Sequence, residues 1–208
     1  MSPYRLYLVT DDQQDLSTLI HVVKEAVQGG VTMVQVREKN SDIQSFIKRA
    51  QAIKEVLVGT NVALIINDRV DVALAVDADG VHLGQTDMPP LIARQLIGPD
   101  KILGLSIETE QQLLEANQLP LDYIGLSAIF STPTKTNLKK QWGIDGLRHA
   151  LAKTKLPIVA IGGINQTNLD EIIKTGVDGV ALVSAICHAQ DPKAATSNLL
   201  KQIQAALI

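Results

Sequence analysis

The 208-residue sequence is poor in cysteine, in aromatic residues and in excess charge of either sign. Its single cysteine excludes an internal disulfide and a zinc site made of several thiolates. The net charge of -3 provides no electrostatic footprint for nucleic acid or a membrane surface. No apolar run has the character of a signal peptide or the length to cross a bilayer. We therefore expect a cytoplasmic protein that binds neither nucleic acid nor membranes, and no pattern indicates an oligomeric state.

Hydrophobic residues make up 46% of the chain but include only one Trp, three Tyr and two Phe, so an aliphatic core is expected. That composition suits a buried parallel sheet. Short β-branched runs alternate with amphipathic helical patterns along the sequence. The predicted strands are Leu6–Thr10, Met33–Arg37, Ala63–Ile66, Gly80–Leu83, Ile102–Ser106, Tyr123–Ser127, Ile158–Ile161 and Gly179–Val183. The predicted helices are Leu16–Gln28, Asp42–Leu57, Val70–Val76, Pro90–Ile97, Glu110–Asn117, Asp145–Ala152, Asn168–Thr175 and Pro192–Leu207.

The strand and helix patterns form consecutive βα pairs with no linker or low-complexity tract between them, which predicts one domain over residues 1–208. This many pairs in a chain of this length favours a closed (β/α)8 TIM barrel over an open doubly wound sheet. Similar phrases containing Asp79, Asp122 and Asp178 lead into predicted strands, and we expect these aspartates to be structural residues of turns at the amino-terminal face. The chemistry of such a barrel gathers at the carboxyl ends of its strands.

A cationic segment lies at the end of the second predicted strand. In Gln35-Val36-Arg37-Glu38-Lys39, alternation directs Val36 to one face and Gln35, Arg37 and Lys39 to the other. Partly desolvated guanidinium and ammonium groups need an anion, and ligand phosphates suit both. Pairing of these cations with Glu38 or a nearby aspartate is the alternative, and the segment alone does not decide between a ligand and an ion pair.

Acidic side chains follow the third and fourth predicted strands. Asp68, directly after Asn67, and Asp87 would come from neighbouring strand ends, without a histidine or cysteine cluster. Such a pair suits Mg²⁺, which prefers oxygen ligands and completes its shell with water and substrate phosphate. Either aspartate could instead cap the helix that follows it.

A second anion-binding group is indicated at the last strands. Gly162-Gly163 and Val183-Ser184 follow strands seven and eight, where barrels often hold a phosphate on backbone N–H groups. The long polar connection between Ser127 and Trp142 contains Thr132-Pro133-Thr134-Lys135, whose hydroxyls and ammonium could also bind an anion. The length of this connection indicates either a functional lid or disorder.

No obvious nucleophile stands out. The sequence contains no evident Ser/His/Asp or Cys/His arrangement, and Cys187 has no evident activating partner. His82 lies inside a predicted strand, where a hydrogen-bonded core histidine is expected rather than a general base. Many anion-stabilising groups without a clear base favour a reaction driven by ionisation of a leaving group.

In their order and spacing these motifs resemble the thiamin phosphate synthase family, barrel enzymes that join a hydroxymethylpyrimidine diphosphate to a hydroxyethylthiazole phosphate. The resemblance covers nearly the whole chain. The motifs that carry it are Gln35-Val36-Arg37-Glu38-Lys39, Asn67-Asp68, Gly80-Val81-His82-Leu83-Gly84-Gln85 with Asp87, Gly104-Leu105-Ser106, Thr132-Pro133-Thr134-Lys135, Gly162-Gly163-Ile164 and Val183-Ser184-Ala185-Ile186.

The resemblance implies roles for individual residues. The pyrimidine diphosphate would be held by Gln35, Val36, Arg37, Glu38, Lys39, Asn67, Ser106 and Lys135. The thiazole phosphate would be held by Thr132, Pro133, Thr134, Gly163, Val183 and Ser184. Asp68 and Asp87 would bind Mg²⁺, and catalysis would fall to Arg37, Lys39, Ser106 and Lys135. The implied reaction begins with loss of pyrophosphate, and the thiazole nitrogen captures the resulting pyrimidinylmethyl cation.

Two other functions compete with this one. A related thiazole tautomerase rearranges a thiazole carboxylate phosphate by acid/base chemistry, and a non-catalytic sensor would only bind a phosphorylated metabolite. The tautomerase would not need both Asp68 and Asp87 together with a diphosphate clamp, and the sequence contains both features.

Overall fold

The computed structural model describes residues 2–132 and 141–207. Its eight parallel strands form a closed barrel in chain order, which confirms the predicted TIM barrel. The strands are β1 (Leu6–Val9), β2 (Met33–Val36), β3 (Ala63–Asn67), β4 (Gly80–Leu83), β5 (Ile102–Ile107), β6 (Tyr123–Ser127), β7 (Ile158–Ile161) and β8 (Gly179–Leu182). Each predicted strand is present, with ends displaced by at most one residue.

The helices alternate with the strands and pack outside them. They are α1 (Leu16–Gly29), α2 (Ile43–Leu57), α3 (Val70–Ala75), α4 (Pro90–Ile97), α5 (Glu110–Ala116), α6 (Gly143–Lys153), α7 (Leu169–Ile173), α8 (Ser184–Cys187) and α9 (Pro192–Ala206). The sequence did not predict α8, because four residues are too short to display a helical period. This short helix begins directly after β8, so it faces the carboxyl ends of the strands.

Local side-chain hydrogen bonds explain where the longer helices begin. The Asp15 carboxylate accepts from the backbone N–H of Thr18 at 2.9 Å, and the Asp42 carboxylate accepts from that of Ser45 at 3.0 Å. Both aspartates therefore cap the first turn of a helix, whose leading N–H groups have no intrahelical partner. At α5, Thr109 and Gln112 form a reciprocal capping box.

Alternation along the strands divides the core into two layers. Leu6 and Leu8 of β1 point outward into the aliphatic layer between sheet and helices. Tyr7 and Val9 point into the barrel, where they pack with inward-facing residues of other strands. The inner cluster consists of Tyr7, Val9, Met33, Ile65, Tyr123, Val159 and Ala181. It fills the barrel, and the cavity described below opens at the carboxyl end.

The three aspartates of the repeated turn phrases have the structural role predicted for them. Asp79 accepts from the backbone N–H of Leu64 at 2.7 Å, Asp122 from that of Leu103 at 2.7 Å, and Asp178 from that of Ile158 at 2.8 Å. Each carboxylate thus binds an N–H at the beginning of the preceding strand and fixes the amino-terminal face of the barrel. Within residues 2–132 and 141–207, no helix has both the length and the apolarity needed to span a membrane.

Candidate active site

A cavity of about 850 Å³ opens at the carboxyl ends of the strands. This volume lies within the range of small-molecule sites, roughly 300–1,000 Å³. The cavity brings together most of the residues predicted from the sequence to bind ligands. Those that line it are Gln35, Arg37, Lys39, Asn67, Asp68, Asp87, Ser106, Thr132, Gly163, Val183 and Ser184. Pro133, Thr134 and Lys135, with most of the predicted lid, lie outside the described residues.

The side chains of Val36 and Glu38 do not line the cavity, so contact of these two residues with the substrate stays a prediction from the resemblance. Val36 is fully buried in the layer between sheet and helices, as the alternation along β2 requires. Glu38 accepts from Arg49 Nε and from the Ser41 hydroxyl, both at 2.6 Å. Arg49 of α2, rather than Arg37 or Lys39, is the cation paired with Glu38, whereas Lys39 pairs with the nearby Asp68. The alternative is therefore wrong for Glu38 and holds for Lys39 with a nearby aspartate.

Arg37 faces the cavity with its guanidinium available for a ligand. Its backbone N–H donates to the Thr10 hydroxyl at 3.0 Å, which fixes the chain at the end of β2. Across the part of the chain that the structure describes, no carboxylate forms an ion pair with Arg37. A half-buried guanidinium without a carboxylate partner is a suitable ligand for phosphate.

Lys39, Asp68 and Asp87 form a compact charged group on one side of the cavity. The Lys39 ammonium contacts the Asp68 carboxylate, and Asp68 in turn lies within hydrogen-bonding reach of Asp87. Asp87 also accepts from the backbone N–H of Gly84 at 2.7 Å. Burial, and then the neighbouring Asp68, raise the pKa of Asp87 above its usual range. The two adjacent carboxylates share one ammonium, so their negative charge is only partly neutralised and a further cation would be favoured here.

The opposite side of the cavity is formed by the ends of β7 and β8. Gly162 and Gly163 adopt φ values of 99° and 67°, which are left-handed conformations that favour glycine. A Cβ at Gly163 would lie 2.5 Å from the Ser131 carbonyl oxygen, so the backbone here is too close to its neighbour for a side chain. Val183 precedes α8, and the first N–H groups of a helix have no intrahelical acceptor. The surface is suited to an anion.

A chain of side-chain hydrogen bonds crosses the barrel interior between Gln35 and Ser106. Gln35 Nε2 donates to the Tyr7 hydroxyl at 2.8 Å, and the hydroxyls of Tyr7 and Tyr123 lie 3.0 Å apart. Tyr123 is 2.8 Å from His82 Nδ1, and His82 Nε2 is 2.9 Å from the Ser106 hydroxyl. His82 is thus a hydrogen-bonded histidine of the barrel interior, as predicted. The sequence analysis did not identify Tyr7 and Tyr123, although both occupy inward positions of predicted strands.

Polar cavity residues that were not predicted as ligands include Gln85, Glu108 and Gln112. Gln85 donates to the Ser106 carbonyl at 2.6 Å and so ties the β4 loop to β5. The position of Gln85 inside a recognised motif was the available signal. Glu108 lies between β5 and α5, and Gln112 lies in the first turn of α5, and neither position carries a sequence pattern for ligand binding. Cys187 is buried and its thiol faces the Val9 carbonyl; burial raises the pKa of the thiol to about 12, consistent with the expected packing role.

A TIM barrel whose strand ends carry a free guanidinium, paired carboxylates and a glycine-lined anion surface belongs to the enzymes that act on phosphorylated small molecules. The family model of thiamine monophosphate synthase matches residues 6–186, and the chain belongs to that family. Members are transferases of thiamine biosynthesis, which condense a pyrimidine diphosphate with a thiazole phosphate and release pyrophosphate.

Individual relatives agree with this membership. The chain is 73% identical over 200 residues to the thiamine-phosphate synthase of Vibrio campbellii, covering 96% of this chain and 98% of that protein. It is 74% identical over 200 residues to the same enzyme of Vibrio parahaemolyticus, with the same coverage. Among solved structures, the thiamine phosphate pyrophosphorylase of Pyrococcus furiosus superposes with a TM-score of 0.90 at 38% identity, covering 100% of this chain and 98% of that one.

Proposed function

We propose that the barrel cavity binds a hydroxymethylpyrimidine diphosphate and a hydroxyethylthiazole phosphate together and joins them to thiamin phosphate, with Mg²⁺ as the resident cofactor. The observation that carries this proposal is the presence of two separate anion-binding surfaces in one cavity. Arg37 and Lys39 lie at the end of β2, and the glycine-lined surface lies at β7 and β8. A cytoplasmic location is part of the proposal and rests on the sequence alone.

The diphosphate is assigned to the β2 side because the cavity-lining cations Arg37 and Lys39 are there. Arg37 offers a planar fork of donors for two phosphate oxygens, and Lys39 offers a mobile ammonium. Lys39 is 46% exposed at its side chain, so it can leave Asp68 for a phosphate without crossing packed structure. By resemblance, Lys135 would add a third cation. Asn67 Nδ2 is a buried donor without a partner among the described residues, and a substrate acceptor would satisfy it.

The acidic pair fits Mg²⁺. Asp68 and Asp87 supply adjacent carboxylate oxygens, and no cluster of three or more His, Cys, Asp or Glu side chains lies near them among residues 2–132 and 141–207. Mg²⁺ is commonly held by one or two carboxylates and completes its octahedral shell with water and substrate phosphates. When bound, the ion would neutralise charge on the leaving pyrophosphate as a Lewis acid. Burial and the neighbouring Asp68 raise the pKa of Asp87, and a divalent cation bound between the two carboxylates would offset both effects.

The thiazole phosphate is assigned to the opposite surface. Gly163, Val183 and Ser184 would meet it through backbone N–H groups and the Ser184 hydroxyl. Thr132, which also lines the cavity, would contribute from the β6 side, and the resemblance adds Pro133 and Thr134. The serine hydroxyl at the beginning of α8 is exposed and can reach a ligand.

The proposed reaction transfers the pyrimidinylmethyl group by ionisation and capture. The bond between the methylene carbon and the diphosphate oxygen breaks, and its electron pair leaves with pyrophosphate. Arg37 and Lys39 stabilise the charge that develops on the leaving oxygens. The thiazole nitrogen then donates its lone pair to the methylene carbon and becomes the thiazolium nitrogen of the product. No covalent bond to the protein is required, which agrees with the absence of an activated nucleophile among the described cavity residues.

The tautomerase alternative is less well supported. Its acid/base chemistry needs no diphosphate clamp, whereas Arg37 lines the cavity without an ion pair to any described residue, and Asp68 and Asp87 lie side by side. The two Vibrio relatives, at 73% and 74% identity, are named for the synthase activity.

The deciding experiment supplies the purified protein with both substrates and Mg²⁺ and measures thiamin phosphate and pyrophosphate. Equal amounts of both products, and loss of both after chelation, are expected. Turnover of the thiazole carboxylate phosphate alone would favour the tautomerase. Binding of either phosphate ester without any product would favour the sensor.

A further inference from the structure

The hydrogen-bond chain in the barrel interior consists of five cavity-lining residues, three of which are almost fully enclosed. Tyr7 and Tyr123 are 1% and 0% exposed, and His82 is 8% exposed. The five residues come from five different strands, so the chain spans the barrel from Gln35 on β2 to Ser106 on β5. A buried polar chain of this kind is costly unless every donor finds an acceptor.

That requirement fixes the direction of every hydrogen bond. Gln35 Nε2 can only donate, so Tyr7 accepts at this end. The Tyr7 hydroxyl has Gln35 and Tyr123 as its partners among the described residues, and its own proton must therefore go to Tyr123. Tyr123 passes its proton to His82 Nδ1, which accepts, and a neutral His82 then carries its proton on Nε2. His82 Nε2 donates to Ser106, which leaves the Ser106 proton for the cavity.

If the hydrogen bonds ran in the opposite direction, one buried hydroxyl proton would have no acceptor among the described residues. If His82 carried a proton on Nδ1, Tyr123 would accept it and would have to donate to Tyr7. Tyr7 would then accept two hydrogen bonds, and its own hydroxyl proton would be buried without an acceptor in the described part of the chain. The same difficulty arises for a doubly protonated imidazolium. The tyrosines cannot resolve it by ionising, because burial raises the pKa of both phenols.

We infer that Tyr7, Tyr123 and His82 are positioning residues that fix the Nε2–H tautomer of His82 and so oblige Ser106 to act as a donor toward the pyrimidine ring. This inference rests on the proposed function for the identity of the ligand. At the other end of the hydrogen-bond chain, the Tyr7 hydroxyl accepts from the Gln35 amide nitrogen. The Gln35 carbonyl oxygen is then free to accept from the ligand. The floor of the cavity therefore presents an acceptor at Gln35 and a donor at Ser106, a pattern suited to a nitrogen heterocycle with a ring-nitrogen acceptor and an amino donor.

The surrounding backbone is shaped to hold these rings. A Cβ at Gly104 would lie 2.3 Å from Tyr123 Cζ and 2.5 Å from His82 Nδ1. A Cβ at Gly125 would lie 3.0 Å from His82 Cε1. Glycines on β5 and β6 thus leave the space that the His82 imidazole and the Tyr123 phenol occupy.

The tautomer can be measured without activity. Nitrogen-15 NMR of the histidine-labelled protein should show His82 with a protonated Nε2 and an unprotonated Nδ1 in the absence of ligand, with the signal assigned by its loss in His82→Gln. A protonated Nδ1, or an imidazolium at neutral pH, would overturn the inference. Because this measurement needs no substrate, it remains informative even if the synthase assay fails.

The positioning role is tested by ligand binding. Tyr7→Phe and Tyr123→Phe keep the ring volume but break the chain, and each should weaken pyrimidine diphosphate binding by about tenfold, the effect of one well-placed hydrogen bond. Binding of the thiazole phosphate and of pyrophosphate with Mg²⁺ should stay within roughly twofold, a difference below about 0.4 kcal/mol. Tyr4→Phe is the matched control, because the Tyr4 hydroxyl donates to the Asp122 carbonyl and its ring packs 5.0 Å from that of Tyr123.

A double-mutant cycle shows whether Tyr123 acts through Ser106. If it does, Tyr123→Phe should add little to the loss caused by Ser106→Ala, because the donor that Tyr123 orients is already gone. Three results would contradict the inference: additive losses, unchanged pyrimidine diphosphate binding in Tyr123→Phe, or equal weakening of binding for all three ligands. Each would show that the hydrogen-bonded residues serve packing alone. Thermal unfolding of every variant identifies losses that come from misfolding.

Discussion

Replacing Lys39 with methionine should change the affinities for Mg²⁺ and for pyrophosphate in opposite directions. In the ligand-free protein the Lys39 ammonium occupies Asp68, one of the two proposed Mg²⁺ ligands. Mg²⁺ must displace this ammonium, which then becomes available to the phosphates. Methionine keeps the aliphatic stem of lysine and removes only the charge and the donor, so it separates the two roles.

The magnitudes follow from exposure. The Lys39 and Asp68 side chains are 46% and 18% exposed, so solvent screens the pair and its contribution is about 0–1 kcal/mol. Lys39→Met should therefore tighten Mg²⁺ binding to the ligand-free protein by up to about fivefold. A charged hydrogen bond to phosphate contributes roughly 1.5–3 kcal/mol, so the same change should weaken pyrophosphate binding in the presence of Mg²⁺ by about tenfold or more.

Isothermal titration with Mg²⁺ alone and then with pyrophosphate at saturating Mg²⁺ measures both effects. Lys101→Met is the matched control, because Lys101 forms a comparable ion pair with Asp77 at the turn after α3. Asp87→Asn should weaken Mg²⁺ binding and lower activity by at least about tenfold, equivalent to 1.4 kcal/mol. Weaker Mg²⁺ binding in Lys39→Met, or an Asp87→Asn variant that stays fully active with the metal chelated, would refute the assignment of this acidic pair to the metal.

Three further variants test other parts of the site. Arg37→Ala should weaken pyrimidine diphosphate binding far more than thiazole phosphate binding in calorimetry, and equal losses would make the cationic strand end structural. Gly163→Ala should do the reverse, because its left-handed φ and a Cβ 2.5 Å from the Ser131 carbonyl oxygen displace the backbone of the second surface. Glu38→Ala should lower the free energy of unfolding by about 3 kcal/mol, because it leaves the Arg49 cation of a buried ion pair without its partner. Denaturant unfolding measures this loss, and a neutral result would contradict the structural role of Glu38.

The fold could be predicted because its signals are local. Each strand is a short aliphatic run, and each turn phrase places an aspartate where its carboxylate reaches the first N–H of the preceding strand. Most of the site could also be predicted, since a TIM barrel brings all carboxyl strand ends to one face. Alternation of side chains along β2 already directs Val36 away from the cavity. Val36 was included because the family motif runs without a break from Gln35 to Lys39. Glu38 lies beyond β2, where alternation no longer determines direction.

The hydrogen-bond chain in the barrel interior could not be predicted, because its members lie far apart in the sequence. Tyr7 and Tyr123 are 116 positions apart, and Tyr123 and His82 are 41 apart. An inward tyrosine in a strand is equally compatible with simple packing, and only the barrel register decides which hydroxyls meet. The same holds for Arg49, whose pairing with Glu38 depends on how α2 lies against the end of β2.

The order of the strands explains how one cavity can keep two anionic ligands apart and still bring their reacting atoms together. Because the strands follow chain order around a closed barrel, β3 and β7 lie on opposite sides. Under the proposed function, the diphosphate near Asp68 and the thiazole phosphate near Gly163 would bind at opposite rims and need not approach each other. Between the rims, aliphatic side chains such as Val9, Val159 and Ile161 lie beside the polar side chains of the hydrogen-bond chain. A cation formed there would meet few water molecules before the thiazole nitrogen, because these packed side chains would exclude solvent while the cations after β2 stabilise the leaving group.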